Sequence, residues 1–318
     1  LNLGDAIIQM RKQIVVALGK VDSALVAETL GPDIEFVASP TKDDLALAVG
    51  AIARATLDVD ASLIDSMPNL KVIARTGVGT DRVDLIAASA KSIQVVITPG
   101  ANSTAVAEGV IAMMLHLVKR LGPLTQLVQS GEWEKRESLP VGDLNDQTIG
   151  IIGMGSIGQR VAKFSKALGM QVIGFDTKPP KVEFEMVTNI DELYKRSDII
   201  TLHVPLLVET QGLISNESLT KMKHGVIIIN CGRGALIELN DVLPALTSGK
   251  VAGLGLDVFD PEPPKPHAIF QHPNVVLTPH VMGLSKQATL ASFSDAAQGV
   301  RDVLEGRKPA AIANANLL

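Results

Sequence analysis

Short apolar runs alternate with amphipathic stretches along most of the chain. Residues 14–18 read as a strand ended by Gly19, followed by strands at 35–38, 51–55, 72–75 and 95–98, the last closed by Pro99 and Gly100. Residues 23–30 and 61–66 carry helical spacing between them. A second series of strands runs through 149–152, 172–175, 199–203, 226–230, 254–258 and 275–278. Near-continuous apolar strands separated by helices are what a parallel sheet covered on both faces requires. The predicted fold is therefore α/β, with two doubly wound parallel-sheet domains.

Two long helices organise the chain. Residues 103–121 predict one, with Asn102 or Ser103 to cap it, Lys119 and Arg120 at its negative end, and Gly122-Pro123 to stop it. It is apolar nearly all round, so it must be buried in the core or against another subunit. A homodimer is the expectation. A shorter helix at 124–130 leads into a polar stretch. The last helix, 286–304, is expected to return to the first domain. The first domain would then be discontinuous, 1–102 with 288–318, around a second domain at 103–287.

Composition narrows the class. The chain has 318 residues, 46% hydrophobic and 20% charged, which suits a globular protein of two domains. A formal charge of −5 argues against broad nucleic-acid binding. The single cysteine, Cys231, excludes an internal disulfide framework and suits a reducing, cytoplasmic compartment. No apolar run is long enough to span a membrane, and the N-terminus shows no signal-peptide pattern. Residues 1–10 are left out of the fold prediction.

The most specific local signal is Gly153-Met-Gly155-Ser156-Ile157-Gly158, between a strand and a helix, with Asp176 closing the next strand. Each part suits a dinucleotide. Gly153 permits a tight turn, Gly155 leaves room for a pyrophosphate, and Gly158 lets the helix approach the sheet. The helix N-terminus offers unpaired N–H groups to the phosphates. Asp176 can accept from both ribose hydroxyls and would repel a 2′-phosphate, so NAD is expected over NADP.

In an open parallel sheet, ligands bind beyond the carboxyl ends of the strands. Arg233 follows the strand at 226–230, Asp260 and Glu262 follow 254–258, and His280 follows 275–278. An arginine fork can hold a carboxylate, and a histidine can exchange a proton with a carbonyl as hydride is transferred. A glutamate beside that histidine would stabilise the imidazolium. No cluster with metal-ligand spacing is evident, and none of the remaining histidines completes one.

These residues resemble the D-isomer-specific 2-hydroxyacid dehydrogenase family over essentially the whole chain. The matches are Gly77-Val-Gly-Thr-Asp81, Asn102 with Ala107-Glu108, Gly153–158 with Asp176, and His203-Val204-Pro205. They continue with Asn230-Cys-Gly-Arg233-Gly, Leu256-Asp-Val258 through Glu262-Pro263, and Thr278-Pro-His280 with Gly283. The resemblance implies a Rossmann cofactor domain plus a flavodoxin-like substrate domain, with the ligand crevice between them. It implies a catalytic set of Arg233, Glu262 and His280, and NAD as cofactor. Thr104, Ser156, Ile157, His203, Val204, Pro205, Thr210, Cys231, Asp257 and Gly283 fall where the family contacts the cofactor. The substrate, a small 2-oxo or 2-hydroxy acid, would meet the Val78 and Gly79 N–H groups, Asn102, Arg233 and His280.

Residues 48–86 most resemble phosphoglycerate dehydrogenases, with Arg54 and Arg75 where that group places cations near a substrate phosphate. Hydroxypyruvate and glyoxylate reductases share much of the pattern. Arg82 stands where asparagine is usual, and Gly109 where a bulkier residue is common. The chain ends soon after its last helix, so a regulatory C-terminal domain is not expected. Formate dehydrogenase resembles the pattern less well, carrying glutamine at the position of Glu262. A non-enzymatic, NADH-sensing corepressor is the remaining reading, disfavoured because no appended docking segment is seen.

Overall fold

The computed structural model describes residues 12–318. Residues 1–10, for which no element is predicted, lie outside the described residues. Two compact units emerge: one holds the chain up to Asn102 together with Lys286–Leu318, the other Ser103–Ser285.

The first unit is a five-stranded sheet. Its strands are β1 (Gln13–Leu18), β2 (Ile34–Val37), β3 (Ala48–Ala53), β4 (Val72–Arg75) and β5 (Gln94–Val96). All pairs are parallel, in the order β2-β1-β3-β4-β5, which is the flavodoxin-like winding. Neighbouring residues of one strand point to opposite faces. Val15, Ile52, Val72 and Val96 meet Val26, Leu30, Phe293 and Val300 of the helices Ser23–Leu30 and Lys286–Leu304. Val16, Ala51, Ile73 and Val95 face Ile64, Met67 and Ala88 instead.

The predicted strand at 95–98 stops at Val96. Beyond it the chain pairs with its own C-terminal segment: Val96 bridges Ile312 antiparallel, and Ile97 N–H donates to Ala311 O at 3.3 Å. Asn314, 1% exposed, accepts from Val95 N–H and donates to Ser89 Oγ and Ile93 O, each at 2.9 Å. The outer edge of the sheet is thereby covered rather than left open to another strand.

The second unit holds β6 (Thr148–Ile152), β7 (Gln171–Phe175), β8 (Glu185–Met186), β9 (Ile199–Leu202), β10 (Val226–Asn230), β11 (Val251–Leu256) and β12 (Val275–Leu277). The order is β12-β11-β10-β9-β6-β7-β8, all parallel. Strand order reverses between β6 and β9, the winding of a dinucleotide-binding domain. Register carries one consequence for function. Phe175, Ile152, Leu202, Asn230, Leu256 and Leu277 are paired neighbours in a single row across the sheet. All six strands end at that row.

The two helices expected at 103–121 and 124–130 are both present, with the break between them moved ahead of Gly122-Pro123. Ser103–Val118 ends early, Arg120 takes a left-handed backbone at φ 55°, and Leu121–Gln129 follows. Pro123 does not stop the chain there because it falls in the first turn of the new helix, where no N–H is needed. The turn is held by tertiary contacts: Lys119 Nζ donates to Gly142 O at 2.7 Å, and Arg120 Nη1 to Asn274 Oδ1 at 2.9 Å. The first helix buries Val106, Ala107, Val110, Met113, Met114 and Val118, while Thr104, Glu108 and Ala112 stay exposed. No helix among the described residues is long and apolar enough to cross a membrane.

Candidate active site

Apart from Thr104, on the helix Ser103–Val118, every site residue expected on the second unit follows one of the six strand ends in that row. Past β6 the chain turns sharply: Gly153 has φ 95°, and a Cβ there would stand 2.5 Å from His203 O. A Cβ on Gly158 would stand 2.1 Å from Gly153 O, so that position is closed to any side chain. At Gly155, by contrast, a Cβ would meet nothing within 4 Å. The open space lies at the N-terminus of the helix Ser156–Ala167, which has no side-chain cap. Its first N–H groups are therefore available to an anion. Ser156 is exposed there, and Ile157 packs into the apolar cluster beside the sheet.

Past β7, Asp176 is fixed by two backbone donors. Met154 N–H reaches Oδ2 at 2.8 Å and Lys178 N–H reaches Oδ1 at 2.9 Å. Each oxygen keeps a lone pair, and the side chain stays half-exposed. The open glycine turn, the uncapped helix and this carboxylate fit a dinucleotide with an unmodified ribose. Thr104 accepts from Arg160 Nε at 3.1 Å, which ties its helix to Ser156–Ala167.

Past β9, His203 Nε2 lies 3.0 Å from Thr201 Oγ1, while Nδ1 is enclosed without a partner. Burial pushes this imidazole down to about 3, so the ring is neutral at ordinary pH. Val204 and Pro205 follow, and Thr210 closes the loop by donating to Pro205 O at 2.7 Å and accepting from Leu207 N–H at 2.8 Å.

Past β10, Asn230 shapes the turn that presents Arg233. Its Nδ2 donates to Arg233 O at 2.7 Å, and its Oδ1 accepts from Gly232 N–H at 2.9 Å. A Cβ on Gly234 would stand 2.0 Å from the carbonyl carbon of Phe259. The Arg233 turn thus lies directly on the backbone of the loop that carries Glu262. Arg233 is half-buried, and its Nη1 donates to Gly232 O at 2.8 Å. Cys231 is enclosed, and burial first, then the Asp257 charge, pushes its thiol up. It is a small apolar neighbour of the site rather than a nucleophile.

Past β11 and β12 the two remaining groups meet. Glu262 Oε1 accepts from Phe259 N–H at 3.1 Å, and Oε2 lies 2.8 Å from His280 Nδ1. With Nδ1–H committed to the carboxylate, Nε2 is the nitrogen left to exchange a proton. The imidazole side chain is 46% exposed, so that nitrogen is reachable. His280 has φ 53°, unusual for a residue with a side chain. Asp257, 2% exposed, holds it there. Its carbonyl accepts from His280 N–H at 2.7 Å. Its carboxylate accepts from Thr278 Oγ1 at 2.6 Å, Val281 N–H at 2.9 Å and Met282 N–H at 3.1 Å. Gly283 follows in the same loop.

Asn230 and Thr278 lie within the sequence motifs without a role that the motifs assign them. Asparagine two residues before a glycine at a strand end is a legible turn signal for the first. Nothing local marks the second.

On the first unit, Arg54 and Arg75 follow or end adjacent paired strands. Arg75 is 2% exposed and donates to Ala55 O at 2.7 Å and Leu57 O at 3.2 Å, so it lies beneath that turn and supports it. Arg54 is half-buried with its guanidinium carbon 5.5 Å from the Phe293 ring centre. Arg82 pairs with Asp58 at 3.0 Å. Val78 is exposed, and the N–H groups of Val78 and Gly79 donate to no acceptor among the described residues. Asn102 is half-buried at the end of this unit. No group of three or more metal-ligating side chains occurs among the described residues.

Residues 111–282 match the model of the NAD-binding domain of D-isomer specific 2-hydroxyacid dehydrogenases. The chain belongs to that family. A D-3-phosphoglycerate dehydrogenase of Methanocaldococcus jannaschii is 37% identical over 294 residues, covering 90% of this chain and 56% of that protein. A hydroxypyruvate reductase of Thermotoga maritima is 40% identical over 241 residues, covering 74% of this chain and 78% of that one. Among solved structures, D-lactate dehydrogenase from Aquifex aeolicus, complexed with NAD and lactic acid, superimposes with a TM-score of 0.81. It is 30% identical, over 92% of this chain and 96% of that one. The chain spans only about half the length of several phosphoglycerate dehydrogenases that it resembles, 51% in the case of Archaeoglobus fulgidus.

Proposed function

We propose that this D-2-hydroxyacid dehydrogenase homologue interconverts a D-2-hydroxy acid and its 2-oxo acid with NAD. The observation that carries the reading is the Glu262–His280 contact at 2.8 Å, set on the same row of strand ends as the glycine turn and Arg233. NAD would be held by Gly153–158, the N-terminus of helix Ser156–Ala167 and Asp176, and when bound it supplies the hydride chemistry. Arg233 pairs with the substrate carboxylate through its planar fork. His280 Nε2–H donates its proton to the carbonyl oxygen in reduction and recovers it in oxidation. Glu262 keeps the ring oriented through Nδ1. The free N–H groups of Val78 and Gly79 suit a carboxylate as well.

For the acid itself, 3-phosphoglycerate is the first candidate, supported by the phosphoglycerate dehydrogenase relatives and by Arg54. Arg75 supports the turn after Arg54 and would act through it. Hydroxypyruvate is the second, favoured by the Thermotoga reductase at 40% identity. The test is NADH oxidation with 3-phosphohydroxypyruvate, hydroxypyruvate, glyoxylate, pyruvate and phenylpyruvate. Turnover of at least one is expected, with Arg54→Ala slowing the phosphorylated substrate selectively. No turnover of any would overturn the reading, and NADH-dependent peptide binding in its place would favour the corepressor alternative.

The same reading includes a cytoplasmic homodimer. Leu121, Val128, Trp133 and Val141 are 50%, 63%, 59% and 51% exposed along the segment after helix Ser103–Val118, an apolar surface that a second copy would cover. A light-scattering mass equal to one chain would remove the dimer.

A further inference from the structure

Gly109 lies on the buried face of the helix Ser103–Val118, and Met282 lies two residues past His280. A Cβ built on Gly109 would stand 2.4 Å from Met282 Sδ, 2.7 Å from its Cγ and 2.9 Å from its Cβ. The last distance is the informative one. A thioether can swing aside about its own torsions, but Met282 Cβ is carried by the main chain. Relief would require the backbone at 282 to move. The side chain packs into the apolar cluster of Ala107, Val110, Met113 and Met114. Its own N–H is one of the donors to Asp257, so packing and hydrogen bonding converge on one residue.

Gly109 adopts no left-handed backbone, and a glycine inside a helix lowers its stability relative to alanine. The reason for glycine here is therefore the space it leaves. His280 needs such support, because a non-glycine residue at φ 53° keeps that conformation only while its surroundings hold it.

We propose that Gly109 and Met282 form a notch and plug that fix the segment after His280, which makes both positioning residues for the imidazole. The proposal rests on the reading of His280 as the proton carrier. Met282 contributes from its side chain what Asp257 contributes through hydrogen bonds: the loop cannot shift along the helix while the plug is seated.

The test is a double-mutant cycle of Gly109→Ala and Met282→Ala. Gly109→Ala is expected to lower kcat about tenfold, the scale set by a sub-ångström misplacement of a catalytic group, with NADH affinity within about twofold of wild type. The pH dependence of kcat should change in that variant, and the Val281 and Met282 amides should exchange with deuterium about tenfold faster. Adding Met282→Ala should return kcat and exchange to the levels of Met282→Ala alone. Wild-type kcat and exchange in Gly109→Ala would overturn the proposal, as would a double variant no better than Gly109→Ala. If Gly109→Ala does not fold, recovery of folding in the double variant supports the pair and its failure refutes it. Amide exchange needs no turnover. A wild-type chain that reduces no 2-oxo acid, yet shows the coupled exchange pattern, would defeat the His280 reading and leave the notch in place.

Discussion

Replacing Asp176 should change the choice of cofactor, and the structure sets the size of the change. The carboxylate cannot turn away from a ligand, because Met154 N–H holds one oxygen at 2.8 Å and Lys178 N–H the other at 2.9 Å. A phosphate about 4 Å away would feel a repulsion of about 1 kcal/mol per pair of unit charges in water, and about 4 kcal/mol at the effective dielectric of a protein surface. The site is half-exposed, so about 3 kcal/mol is a reasonable middle, which corresponds to roughly a hundredfold discrimination against NADPH. The ribose hydroxyls of NADH gain the opposite benefit, since a hydrogen bond to a charged acceptor is worth about 1.5–3 kcal/mol. Asp176→Ala removes both effects. The two effects act in the same direction on the ratio of kcat/KM for NADH over NADPH, which should fall by about three orders of magnitude. Asp176→Asn keeps an acceptor but removes the charge. It should lose most of the discrimination while binding NADH better than the alanine variant does. Initial rates with both cofactors and the best 2-oxo acid decide the matter. A ratio unchanged within about threefold in both variants would refute the ribose contact, since a lost charge pair of this size must show.

Three further outcomes follow from the same geometry. Asp257→Ala strands three donors of the His280 loop; at about 1 kcal/mol for each partly hydrated donor, it should cost about 3 kcal/mol and speed exchange of the Val281 and Met282 amides. Full protection and unchanged kcat in that variant would contradict the clamp. His203 is held neutral in the folded chain, with its ionisation lowered from 6.5 to about 3. Between those values the unfolded chain takes up a proton that the folded chain refuses, so stability present above about pH 6.5 is lost as pH falls. His203→Gln should flatten that acid loss in urea titrations, and an unchanged slope would count against it. The Cys231 thiol, pushed up by burial, should resist iodoacetamide at pH 8 in the native chain and react once unfolded, whereas rapid native labelling would show it to be accessible.

Much of the second unit was legible because its chemistry sits at strand ends, and strand ends are local signals. A run of Ile and Val followed by Asn-Cys-Gly-Arg announces both the strand and the turn. The alternation of strands and helices likewise implied parallel sheets without any tertiary information. Harder to read were contacts between distant residues. The first long helix ends ahead of Gly122-Pro123, at Arg120, which bonds Asn274 far along the chain. β5 stops at Val96 because residues near 312 pair with the chain there. Arg75 looked like an open cation, yet its value lies in bonding the turn after β3. Gly109 looked only like a departure from the family pattern. Its meaning depends on Met282, which periodicity cannot bring to it.

We propose that Arg233, His280 and the glycine turn serve one reaction. The most direct measurement is a crystal structure of the chain with NAD and oxamate, an unreactive mimic of a 2-oxo acid. Oxamate is expected paired with the Arg233 guanidinium, with its carbonyl oxygen about 3 Å from His280 Nε2 and the nicotinamide against its carbonyl carbon. Oxamate bound without either side chain, or a dinucleotide seated away from Gly153–158 and Asp176, would contradict it.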